Sequence, residues 1–296
     1  FTNLSRDHID YHGTMQAYFE SKAGLFLDFD VKNRIVCIDS EYGIELAERC
    51  GAQVVTVSTQ FDRAANGRPY VFVRSVIASE TGSQFEVSTS WGTATVELPL
   101  PGDFNVANAA VVLALLLCND VPMDSACETL AGLSAPPGRM ELVNEPGNDS
   151  GPRVYVDYSH TPASIEVALK ALRHHCQGEL WCVVGCGGDR DRGKRPMMGK
   201  AAERLSDRAI VTSDNPRTEP PEQIIRDILE GMTDDAIAIS DRAEAIREAI
   251  FTARDGDVIL IAGKGHEDYQ VIGDRTLSFS DFNAARECLQ DRGAQR

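Results

Sequence analysis

The chain has 296 residues, enough for two domains of ordinary size, each with its own core. Hydrophobic residues make up 43% and charged residues 25%, the profile of a soluble globular protein, and no apolar run reaches the length of a membrane span. The net charge of -16 excludes general affinity for nucleic acid, because phosphate backbones would be repelled.

Taken in chain order, Met15 to Phe29 carries aromatic and aliphatic residues at helical spacing, and Arg34 to Asp39 reads as a short apolar strand. Tyr70 to Leu98 alternates polar and apolar residues, broken by Thr81-Gly82 and Trp91-Gly92, which predicts antiparallel strands with tight turns. Phe104 to Cys118, rich in alanine and leucine, reads as a buried helix. Ser134-Ala135-Pro136-Pro137-Gly138 has linker composition, since two prolines and a glycine cannot continue a helix. A domain boundary is expected there, dividing the chain into 1–137 and 138–296.

Beyond it the pattern becomes regular. Strands are predicted at Val154 to Tyr158, Leu180 to Gly185, Ala209 to Thr212, Ala236 to Ile239 and Val258 to Ala262. Helices are predicted to run from Pro162, Pro196, Pro221 and Arg242; proline suits the first helical turn. Such alternation predicts an α/β fold with a mostly parallel sheet, whose ligands gather at the carboxyl ends of the strands. The eight cysteines include no CxxC pair, so reduced structural thiols are expected rather than a disulfide framework or a zinc site. No charged-then-apolar leader opens the chain, although it starts at Phe1 without a methionine; a cytoplasmic enzyme is the expectation.

Four polar clusters follow predicted strands: Asp157 to Pro162, Gly185 to Pro196, Ser213 to Thr218 and Gly263 to Asp268. The segment Gly188 to Lys194 matches GxxxxGK, the outline of a phosphate-binding loop. That loop needs Ser or Thr after the lysine to hold magnesium, whereas Arg195 and Pro196 follow here, and Asp189 and Asp191 would oppose phosphates. The preferred reading is a basic loop that meets an anionic substrate through Arg190, Arg192, Lys194 and Arg195. Asp214-Asn215-Pro216-Arg217 pairs a guanidinium fork suited to a carboxylate with an amide that both donates and accepts; it reads equally as a turn opening the next helix. Glu267, beside a glycine-rich turn, could receive an ammonium, or the turn could carry only solvated charges. His8 and His12 lack the third ligand of a zinc site, and Lys22 by itself reads as a solvated lysine on a helix.

Read together, these segments resemble the Mur ligase family. The resemblance runs through Phe1 to His8, Phe104-Asn105-Val106-Ala107-Asn108, Gly138-Arg139-Met140-Glu141, Asp157 to Pro162, Gly187 to Pro196, Asp214 to Arg217 and Gly263 to Gln270. It implies part of a central ATP-binding domain followed by a Rossmann-like C-terminal domain. The implied reaction is ATP-driven amide formation: an acceptor carboxylate is phosphorylated to an acyl phosphate, which the incoming amine attacks. By resemblance, Lys22 matches the family's carbamylated lysine (N6-carboxylysine), an anionic oxygen ligand that together with His8 would bind Mg2+. Asn108 would hold the adenine of ATP, and Arg139, Asp157 and His160 would approach the nucleotide. For the incoming amino acid the resemblance implies Arg190, Asp214, Asn215, Pro216, Arg217, Gly263 and Glu267.

The Asp214 to Arg217 motif points within the family to members that join meso-2,6-diaminopimelate to UDP-N-acetylmuramoyl-L-alanyl-D-glutamate in peptidoglycan biosynthesis; lysine-adding relatives usually carry another residue at Arg217. A monomer without nucleic-acid or membrane partners is expected. Ser159 departs from the more usual alanine. The family's own phosphate-binding loop and its UDP-binding domain are expected before Phe1, which implies a fragment inactive alone. Other readings are a sibling adding L-lysine or another diamino acid, a folylpolyglutamate-synthase relative, and a binding fragment without turnover.

Overall fold

The computed structural model describes all residues except 6–8, 62–66, 80–81, 145–150, 234–235 and 295–296. The expectations for Arg6, Asp7, His8 and the turn residue Thr81 therefore lie outside the described residues. Two compact units follow one another, Phe1–Leu133 and Ser134–Arg296.

The first unit runs α1 (Ile9–His12), α2 (Met15–Leu27), β1 (Arg34–Cys37), α3 (Glu41–Cys50), β2 (Val54–Ser58), β3 (Tyr70–Ser79), β4 (Gly82–Thr89), β5 (Gly92–Leu98), α4 (Asp103–Cys118) and α5 (Met123–Ala131). Its sheet has the order β1-β2-β3-β4-β5, parallel from β1 to β3 and antiparallel from β3 to β5. Neighbouring residues of one strand serve opposite faces. Ile35, Val55 and Val57 pack with α4 and α5, while Val36 and Val54 join Phe19, Ala23, Leu46 and Ala47 from α2 and α3. Side-chain oxygens start two of these helices: Thr14 accepts from the Ala17 N–H, and Ser40 from that of Gly43. α4 is less buried than its composition suggests. Val106, Ala109, Ala110, Leu113, Ala114 and Leu117 line one covered stripe, whereas Leu115 is 48% exposed on the other side.

The second unit runs β6 (Glu141–Leu142), β7 (Arg153–Asp157), α6 (Pro162–Arg173), β8 (Leu180–Val184), α7 (Lys194–Leu205), β9 (Arg208–Val211), α8 (Pro221–Leu229), β10 (Ile237–Ala238), α9 (Arg242–Thr252), β11 (Val258–Ala262), β12 (Tyr269–Ile272), β13 (Arg275–Ser278) and α10 (Asp281–Ala294). The main sheet has the order β10-β9-β8-β11-β7-β6, parallel throughout except for β6. Every residue of β8 and β11 is buried, as expected of parallel strands covered on both faces. One face packs Val154, Val156, Trp181, Val183, Ile259 and Ile261 against α9 and α10; α6 to α8 contribute a separate set of buried residues, including Ile165, Leu169, Met198 and Ile228.

Sequence patterning misplaces two boundaries. α7 begins at Lys194 rather than Pro196, because a proline in the first turn lacks only an N–H that has no intrahelical acceptor. The strand predicted from Ala236 shrinks to Ile237–Ala238. α6 starts as predicted, where Thr161 and Ser164 form a reciprocal capping box ahead of Pro162 at the first helical turn.

Candidate active site

β9, β8, β11 and β7 are consecutive neighbours in the main sheet and run parallel, so their carboxyl ends carry the four polar loops along one edge of the second unit. The loop after β9 is built inward. Thr212 to Pro216 are buried, and Asn215 spends its amide on the protein: Oδ1 accepts from the Val271 N–H at 2.9 Å and from Lys264 Nζ at 3.1 Å, while Nδ2 donates to Glu267 Oε2 at 2.7 Å. The Asp214 carbonyl accepts from the buried Gln270 amide at 2.7 Å.

Arg217 then adopts a left-handed backbone with φ of 54°. Its N–H donates to the Val271 carbonyl at 3.0 Å, and its own carbonyl accepts from the Gly273 N–H at 2.7 Å, so the hairpin β12–β13 clamps this residue. The side chain turns back to the loop after β8, where Nη1 donates to the Gly188 carbonyl at 2.7 Å. Its Nε and Nη2 have no protein acceptor among the described residues.

Gly188 permits this approach, because a Cβ there would lie 1.9 Å from the Pro216 carbonyl oxygen. Gly263 is similarly constrained: its φ is +124°, and a Cβ would meet the Asp214 carboxylate at 2.9 Å. Four residues on, Glu267 is half-buried and takes both of its protein contacts on Oε2, from Asn215 and from Lys264 at 3.5 Å. Its Oε1 has no partner among the described residues.

The basic loop after β8 corrects the sequence reading. Arg195 is fully buried and bridges Glu219, at 2.7 and 3.0 Å, to Asp227 at 2.8 Å. Arg192 pairs with Glu219 at 2.9 Å, and Lys194 donates to the His160 carbonyl at 2.9 Å. Three of the four expected anion contacts are thus absorbed within the protein. Arg190 alone is exposed with no ion pair among the described residues. Asp189 completes the brace by accepting from the Thr218 N–H and hydroxyl, and its N–H donates to Glu219. Hydrogen bonds from Arg195 hold the Glu219 carboxyl down to about 2.

In the loop after β7, Asp157 accepts from the Met140 N–H at 2.8 Å and from the Ser159 hydroxyl, so Ser159 supplies a bond that alanine could not. His160 Nδ1 lies 2.8 Å from the Tyr158 carbonyl, and the Arg139 guanidinium stacks 4.4 Å from the Tyr158 ring. In the first unit, Lys22 is exposed on α2 with Nζ 5.1 Å above the Tyr18 ring, and Asn108 is exposed on α4. Among the described residues no three His, Cys, Asp or Glu side chains gather as a metal site.

Local patterns missed Lys264, Glu219 and the fully buried pair Arg242–Asp281. A charged residue between glycines after an apolar strand suggested solvation, yet the Lys264 side chain is 0% exposed. The only available signal was position, two residues beyond a strand whose every residue is buried.

Comparison with known proteins places these loops in context. Residues 1–116 match the description Mur ligase middle domain, and residues 138–265 match Mur ligase, glutamate ligase domain. The chain is 42% identical over 292 residues to the UDP-N-acetylmuramoyl-L-alanyl-D-glutamate--2,6-diaminopimelate ligase of Haemophilus influenzae, covering 98% of this chain and 59% of that protein. A solved structure bearing the same ligase name is 35% identical with a TM-score of 0.67, over 99% of this chain and 60% of its own. The UDP-N-acetylmuramate-alanine ligase of Thermotoga maritima shares the fold, with a TM-score of 0.71 at 18% identity, over 100% of this chain and 59% of its own. The chain therefore spans about three-fifths of the length of the relatives it matches.

Proposed function

The chain belongs to the Mur ligase family, and from that premise we propose that it serves the ATP-dependent addition of meso-diaminopimelate to UDP-N-acetylmuramoyl-L-alanyl-D-glutamate in cytoplasmic peptidoglycan precursor synthesis. ATP and Mg2+ are the proposed cofactors, and an acyl phosphate of the acceptor is the proposed intermediate. In the first unit, Lys22 as a carbamate is proposed for the metal and Asn108 for the nucleotide. In the second, Arg139, Asp157 and His160 are proposed for the nucleotide. His8 is proposed on resemblance alone. No described helix is long and apolar enough to cross a membrane, and a monomer is proposed.

One observation carries the choice of amino acid. Arg217 and Glu267 each have part of their charged group fixed by protein and part without a partner among the described residues. A guanidinium with free N–H groups suits a carboxylate, and a carboxylate with a free oxygen suits an ammonium. The far end of meso-diaminopimelate offers both. L-lysine lacks that carboxylate and would leave the guanidinium without its partner, a penalty of roughly 1–3 kcal/mol. Asn215 and Asp214 support this reading by shaping the loop from within, and Arg190 is proposed as a further contact to the amino acid.

The test is phosphate release from ATP by the full-length protein. It should require both the UDP-dipeptide and meso-diaminopimelate, and equal rates with L-lysine would defeat the substrate assignment.

A further inference from the structure

Among the described residues Lys264 is the one lysine buried to zero exposure, and nothing in the proposed reaction uses it. Its ammonium has three donors and meets three oxygens: Asn215 Oδ1 at 3.1 Å, Glu267 Oε2 at 3.5 Å and Asp214 Oδ1 at 3.5 Å. The Tyr269 ring closes another side, with its centroid 5.7 Å from Nζ. Two of the donors make hydrogen bonds, to Asn215 and Glu267, while Asp214 Oδ1 is an ion-pair neighbour only, and the side chain itself is 0% exposed. Lys264 can therefore influence a ligand only through these neighbours.

The partition of the Glu267 carboxylate gives the direction of that influence. Both protein contacts converge on Oε2, which leaves Oε1 open. The charges agree with this. Asp214 and Glu267 carry two negative charges against the single positive charge of Lys264, while the neighbouring Arg242 is matched by Asp281. One negative charge is left uncompensated in a half-buried setting, where an ammonium is the complementary ligand.

We propose that Lys264 is a positioning residue: by holding Glu267 Oε2 and Asn215 Oδ1 it presents Glu267 Oε1 to the ammonium at the far end of the incoming amino acid. The proposal rests on the amino-acid site described above. It also gives Asn215 a role as the strut between Lys264 and Glu267.

The experiment is a double-mutant cycle in the full-length protein, with Lys264→Met, which keeps the buried stem and removes the ammonium, and Glu267→Gln. K264M should raise KM for meso-diaminopimelate by about tenfold or more, the scale of a lost charge-assisted contact, with KM for ATP little changed. In the E267Q background the same replacement should add less than about twofold, because its route of action is already cut. Equal effects in both backgrounds, or a parallel rise in KM for ATP, would overturn the proposal.

A wild-type protein that turns over L-lysine and not meso-diaminopimelate overturns the substrate reading alone, and the cycle then tests Lys264 with that amino acid. No turnover with any diamino acid overturns both. Should K264M fail to fold, a crystal structure of the wild type with meso-diaminopimelate decides. An ammonium on Oε1 with Lys264 still on Oε2 supports the assignment, and Lys264 on the ligand itself overturns it.

Discussion

Arg242 and Asp281 form a forked ion pair in which neither side chain is exposed: Nε lies 2.7 Å from Oδ1 and Nη2 lies 2.7 Å from Oδ2. Two further N–H groups of Arg242 donate to the carbonyls of Ser213 and Ala262. The pair thus ties the first residue of α10 to the strand ends just before the Asp214 and Gly263 loops. Removing one partner would strand the other charge in the interior. Asp281→Ala should destabilise the protein by about 3–5 kcal/mol, whereas pairing it with Arg242→Met should recover part of that loss. Recovery should be incomplete, because two carbonyls lose their donor. Urea unfolding of the single and double variants checks this, and a D281A protein as stable as wild type would refute it.

The open face of Arg217 predicts a selective effect on one substrate. Arg217→Ala should raise KM for the amino acid roughly tenfold or more and leave KM for ATP nearly unchanged. Arg217→Lys should recover little, since a point charge cannot reproduce the fork that reaches Gly188 and a carboxylate together. Steady-state kinetics with each substrate varied in turn is the measurement. Matched changes in both constants would show that the loop is misassigned.

Glu219 predicts an acid-sensitive brace. Its carboxyl is held at about 2 against an ordinary 4.5, first by hydrogen bonds from Arg195, with further support from the Asp189 N–H and Arg192 and with burial opposing. The folded state then binds fewer protons than the unfolded state between those values. Its contribution to stability is complete above about pH 4.5 and fades as pH falls towards 2. The melting temperature of wild type should accordingly fall more steeply than that of Glu219→Gln across this window. Parallel curves from pH 6 to 2.5 would remove Glu219 as the source.

Lys22 tests the proposed metal ligand. Lys22→Ala should abolish most turnover while leaving the melting temperature near that of wild type, because the side chain is exposed, with its ammonium over the Tyr18 ring. Short carboxylic acids should restore part of the activity by supplying the missing anionic oxygens. Failure of that rescue in a folded variant would count against carbamylation.

The chain's own order of residues determined the layered architecture of the second unit. Parallel strands covered on both faces appear as short continuous apolar runs, and helix starts appear as prolines and hydroxyl caps, all set by neighbours within a few residues. The same locality placed the four polar loops at the strand ends. It could not decide which charges in those loops face a ligand. Arg195 meets Glu219 from 24 residues away, Lys264 meets Asn215 from 49, and Asn215 meets Glu267 from 52. A charge is consumed or left open by partners that only the folded sheet brings within hydrogen-bonding distance. Tertiary structure therefore converted the basic loop into a brace, buried Lys264, and left Arg217 and Glu267 with unclaimed polar atoms.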